Sequence, residues 1–108
     1  MVYTVAEIQN IVTPIARRYG LRAVYLFGSY ARGTATEMSD IDLLIDTEGS
    51  PVKSLLDLAA VYCDLEEAFQ KRVDLLTLSA LKQKAQMPSE SDFRTAVNEE
   101  RRMLYAVA

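Results

Sequence analysis

The sequence predicts an α/β fold, a small mixed sheet flanked by helices. Three runs, residues 23–27, 41–45 and 73–78, are short, apolar and rich in β-favouring types, as buried strands are. Between them lie stretches whose apolar residues recur every three or four positions, the period of an amphipathic helix. Strands alternating with helices over short polar connections build layered α/β domains.

The elements follow in order. Thr4 and Glu7 have the spacing of a capping box and open a helix carrying Ile8, Ile11, Val12 and Ile15 on one side. Pro14 interrupts that pattern and predicts a kink or a split, because its ring has no N–H to donate. Gly20 closes the helix, and the strand over 23–27 follows. Gly28-Ser29 leads into a short helical turn over 30–33, a polar loop over 34–39 and the strand over 41–45. A long helix is expected over 52–70, with Leu55, Leu58, Tyr62, Leu65 and Phe69 as its core stripe and Asp64, Glu66 and Glu67 off it. Cys63 lies inside this pattern and reads as buried filler. After the strand over 73–78, residues 79–91 read as a short helix and a loop. Asp92 then caps a last helix bearing Phe93, Val97, Glu100 and Leu104. With 108 residues, no repeat and no linker, one domain spanning 1–108 is expected.

Composition excludes several chemistries. The net charge of −3 argues against a general nucleic-acid binder, which needs a basic face to displace counterions. Arg17, Arg18, Arg22, Arg101 and Arg102 read as solvated helix faces. The absence of histidine removes the commonest general base and zinc ligand together. A single cysteine precludes an internal disulfide. No apolar run approaches the about 20 residues of a membrane span, and the first ten residues lack a signal-peptide pattern, so a soluble, cytoplasmic protein is expected.

Three features carry chemistry. In Leu26-Phe27-Gly28-Ser29-Tyr30, a strand end runs into a turn that opens a helix, a place where backbone N–H groups suit phosphate. Gly28 permits close approach of a ligand, and Ser29 adds a hydroxyl, although Ser29 could equally serve as a helix cap. Asp40 and Asp42, two apart on a strand, point to one side, roughly 6–7 Å apart, which suits a hard cation such as Mg²⁺. Ser39 and Asp42 also fit a capping box, but Gly49 and Pro51 would cut such a helix short, so the strand is preferred. Asp74 is a third acid inside an apolar strand, costly there unless paired or bound to metal; Lys71 or Arg72 could pair with it. If the strands are neighbours, the carboxylates converge.

Gly28-Ser29, ten residues, then Asp40-x-Asp42 resembles the signature of the DNA polymerase β-like nucleotidyltransferase superfamily. The run YLFGSYARGTATEMSDIDLLID, the later KRVDLLTL and the earlier PIARRYG are similar to the minimal nucleotidyltransferase (MNT) family, over residues 11–78. The resemblance implies the polymerase β-like nucleotidyltransferase fold, with Mg²⁺ as cofactor and ATP as substrate. It implies that Gly28 and Ser29 hold the triphosphate and that Asp40 and Asp42 bind the metal ions. Asp74 would complete the metal site and help deprotonate an acceptor hydroxyl, and Arg32 would orient the loop or neutralise phosphate. The implied chemistry is in-line attack on the α-phosphorus with pyrophosphate leaving. The resemblance further implies an antitoxin whose partner is a HEPN-domain toxin, a helical RNase, with AMP transferred to a tyrosine of that toxin. Two other functions remain open. One is a non-catalytic antitoxin that blocks its toxin through the last helix, near Phe93, Val97 and Leu104. The other is a transferase for a small molecule such as an aminoglycoside, which would need an additional acceptor-binding domain.

Overall fold

The computed structural model describes residues 2–84 and 101–107. Its elements are α1 (Val5–Arg18), β1 (Ala23–Phe27), α2 (Gly28–Arg32), β2 (Ile41–Asp46), α3 (Leu55–Phe69), β3 (Val73–Thr77), α4 (Leu78–Lys84) and β4 (Arg102–Ala106). The strands form one sheet in the order β3-β2-β1-β4. β1 runs antiparallel to both β2 and β4, while β2 and β3 are parallel, joined by α3 as the crossover. The sheet is mixed, as expected.

Local chemistry sets the ends of the first helix. The Glu7 N–H donates to Thr4 Oγ1 at 3.1 Å and the Thr4 N–H to Glu7 Oε1 at 2.9 Å, a reciprocal capping box. Gly20, at φ +64°, closes α1: its N–H reaches the Arg17 carbonyl and the Leu21 N–H the Ala16 carbonyl, a Schellman pair. Pro14 does not split the helix, which runs unbroken from Val5 to Arg18 with the exposed proline inside it.

Two expectations on α3 are corrected. The helix begins after Ser54, which forms a second capping box with Asp57, so its first turn overhangs the core: Leu55 is 83% exposed. The stripe that packs is Leu58, Val61, Leu65 and Phe69, with Tyr62 half-buried beside it. Cys63 is exposed rather than buried. Six residues from Phe69 is about 240° around a helix of 3.6 residues per turn, well off the core-facing line.

The last helix is corrected at Leu104. That residue lies in β4, is buried among the core side chains, and its carbonyl accepts from Gln9 Nε2 at 2.9 Å. β4 pairs with the edge of β1 that β2 leaves open, satisfying backbone groups that would otherwise be unpaired. Asp92, Phe93, Val97 and Glu100 lie outside the described residues.

The sheet has two unlike faces. α1 and α3 cover one, packing Ile8, Val12, Val61, Leu65 and Phe69 against Val24, Leu26, Ile41, Leu43, Ile45 and Val73. The other carries a smaller cluster of Phe27, Leu44 and Leu81, edged by Tyr25, Leu76 and Leu78. Side chains alternate along a strand, so Asp42 shares the face of Leu44, and Asp74 that of Leu76. Both acids therefore project from the face less covered by described residues. No helix among the described residues is long and apolar enough to cross a membrane.

Candidate active site

Register brings the acids together. Asp42 pairs with Asp74 across the parallel β2–β3 ladder, and with Phe27 across the antiparallel β1–β2 ladder. Phe27 is the last residue of β1, whereas Asp42 and Asp74 each stand second in their strands. One row at one end of the sheet thus reads Asp74, Asp42, Phe27, with Gly28 following directly. Asp40 lies two residues before Asp42, just ahead of β2.

Electrostatics mark the same place. The half-buried Asp42 carboxyl is pushed up from 3.8 to about 7, first by burial, then by its hydrogen bond to Asp74, and further by the charges of Asp74 and Asp40. Arg32 acts in the opposite direction from the end of α2. The Asp74 side chain is thus bonded to Asp42. Lys71, one candidate ion-pair partner for Asp74, donates instead to the Glu37 carbonyl at 2.5 Å.

Gly28 is required where it stands. Its φ is +73°, and a Cβ there would overlap the Asp42 carboxylate, lying 3.0 Å from Cγ. The turn and the acid are fitted to each other, with Gly28 hard against the carboxylate. Ser29 does not cap α2: the cap position is Phe27 and no side chain caps the helix. With only five residues, α2 has little dipole to offer. The feature with chemical content is the close approach of Gly28 to Asp42.

The donor set fits a hard divalent cation: carboxylate oxygens only, crowded enough to push the Asp42 carboxyl up to about 7. No group of three ligating residues is drawn into a ready-made cage among the described residues. The structure joins Asp42 with Asp74 and places Asp40 and Arg32 within electrostatic range of Asp42. A cavity of about 590 Å³ lies elsewhere, between α1 and α3 around Ile11, Ile15, Asp64 and Ala68. We give it no part in the chemistry, because none of the three acids lines it.

Of the arginines read as solvated helix faces, only Arg17 and Arg18 lie on a helix, both exposed in the last turn of α1, and Arg18 also pairs with Asp64 at 3.4 Å. Arg22 pairs with Glu48 at 2.8 Å and approaches Asp46 at 3.8 Å. Arg101 and Arg102 lie at the start of β4, not on a helix. Arg102 Nε donates to the Ala31 carbonyl of α2 at 2.9 Å, and the Arg101 guanidinium lies 4.6 Å from the centre of the Tyr25 ring. The signal that could have revealed them is the β-favouring run Leu104-Tyr105-Ala106-Val107 beside them.

Residues 8–103 match the family profile described as Nucleotidyltransferase domain. A relative from Thermococcus cleftensis, protein adenylyltransferase MntA, is 42% identical over 83 residues, covering 73% of this chain and 82% of its own length. A solved structure described as a minimal nucleotidyltransferase is 30% identical, covers 93% of this chain and 95% of its own, and superposes with a TM-score of 0.61. A chain from the complex of the tri-AMPylated Shewanella oneidensis HEPN toxin with its MNT antitoxin superposes with a TM-score of 0.62 at 18% identity, over 96% of this chain and 74% of that one.

Proposed function

The chain belongs to the nucleotidyltransferase domain family, in its minimal form, and from that premise we propose that it transfers AMP from ATP to a tyrosine hydroxyl of a HEPN-domain toxin, silencing it. The observation that carries this reading is the pairing of Asp42 with Asp74 on adjacent strands, hard against the Gly28 turn. In this reading Asp40, Asp42 and Asp74 hold Mg²⁺, and Gly28, Ser29 and Arg32 hold the phosphates. Bound Mg²⁺ supplies the positive charge that steadies the attacking and departing oxygens. Asp74, the outermost of the row, takes the proton of the acceptor hydroxyl. The acceptor oxygen forms a bond to the α-phosphorus, the bond from that phosphorus to the bridging oxygen breaks, and its electron pair leaves with pyrophosphate.

Among the described residues the acids occupy the less covered face of the sheet, which suits an acceptor delivered by another protein. A HEPN partner is supported by the likeness to an MNT antitoxin solved with its AMPylated HEPN toxin, and AMP as the transferred group by the relative named protein adenylyltransferase. Neutralisation by contact alone is the competing reading. Asp42→Asn separates the two, since it keeps the shape and removes the charge. Co-expressed with the cognate toxin, the variant is expected to lose protection; full protection would favour contact alone.

A further inference from the structure

β4 extends the row of site residues by one more position. Its last paired residue toward that end is Arg102, opposite Leu26, so Arg101, one residue further out, comes opposite Phe27. Across the sheet the order is then Asp74, Asp42, Phe27, Arg101. Strands lie about 4.8 Å apart, which puts the Arg101 backbone about 10 Å from that of Asp42 and about 15 Å from that of Asp74. The side chain is on the right face: its guanidinium lies over Tyr25, which shares the cluster of Phe27 and Leu44. It is exposed, at 4.6 Å from the ring centre, and a long flexible stem lets it leave the ring for a better partner. Arg102 fixes the segment, holding the Ala31 carbonyl just after the Gly28-Ser29 turn.

We propose that Arg101 binds the departing pyrophosphate. This rests on the transfer reaction above. In-line displacement puts the attacking and leaving oxygens on opposite sides of the α-phosphorus. With the acceptor at Asp74 and the α-phosphorus at Asp42, the leaving group points past Phe27 and the Gly28 turn, toward Arg101. A guanidinium is planar, stays charged and presents paired donors to phosphate oxygens. Arg101 thus supplies, on the β1–β4 side, positive charge to balance the three carboxylates on the other.

The test measures binding of magnesium pyrophosphate, and separately of AMP, by calorimetry on the wild type, Arg101→Ala, Arg101→Lys and Tyr25→Leu. Arg101→Ala is expected to weaken pyrophosphate about 10- to 100-fold, the scale of one charged hydrogen-bonded contact, and to leave AMP unchanged. Arg101→Lys should recover part of that loss. Tyr25→Leu should bind pyrophosphate like the wild type, because the ring only parks the side chain. A purely packing role for Arg101 predicts otherwise: both Arg101→Ala and Tyr25→Leu would lower the melting temperature, with pyrophosphate affinity unmoved, and that result overturns the proposal alone. A wild type that binds neither pyrophosphate nor AMP overturns the reading of the whole site.

Discussion

Asp42 is the residue on which the account turns. Its carboxyl titrates at about 7 in the folded chain against 3.8 ordinarily, because burial and its acidic neighbours penalise the charge. Between those values the folded state holds a proton that the unfolded state has released. The stability this contributes is full below pH 4 and is lost as pH rises through 7. With divalent cations chelated, the melting temperature of the wild type should therefore fall, relative to Asp42→Asn, as pH is raised from 5 to 8. Parallel curves for the two proteins would mean that Asp42 is not held protonated. The acids were legible in the sequence because a charge in an apolar strand has no packing reason to be there. Arg101 was not, since an arginine beside another in a polar stretch looks like any solvated surface; only the pairing of β4 puts it on the site face.

Helix and strand boundaries were legible where local chemistry writes them. Thr4 with Glu7, and Gly20 in its left-handed turn, announce their roles through short-range hydrogen bonds. β4 was missed because Leu104 also fits a helical spacing with Val97 and Phe93, and the partner that makes it a strand is about 80 residues away in sequence, at the open edge of β1. On α3 the period was right but the first turn overhangs the core, which no local pattern records. Leu65→Ala should consequently cost about 2–5 kcal/mol in denaturant unfolding, the cost of a cavity under a buried leucine. Leu56→Gln should change stability by no more than about 0.5 kcal/mol, since that side chain is 82% exposed. Equal losses would place both leucines in the core and contradict the observed phase of the helix.

Among the described residues, one face of the sheet is spent on the core under α1 and α3, and the other carries the smaller cluster together with Asp42 and Asp74. The fold class could be read from the alternation of strand and helix. The acid row could not, because it depends on strand order: β2 must lie between β1 and β3 for Asp42 to meet both the Gly28 turn and Asp74. A cation with nucleotide that binds this row stabilises only the folded chain, so Mg²⁺ with ATP should raise the melting temperature, and Asp42→Asn should abolish or markedly reduce the rise. An equal rise in the variant would locate nucleotide binding away from the acids.

The central claim is transfer of AMP to a partner protein, and the intact mass of the cognate HEPN toxin tests it most directly. After incubation with this protein, Mg²⁺ and ATP, the toxin is expected to gain one or more AMP units, and none with Asp42→Asn. An unchanged toxin mass, with a stable complex still formed, would contradict the claim and leave neutralisation to contact alone.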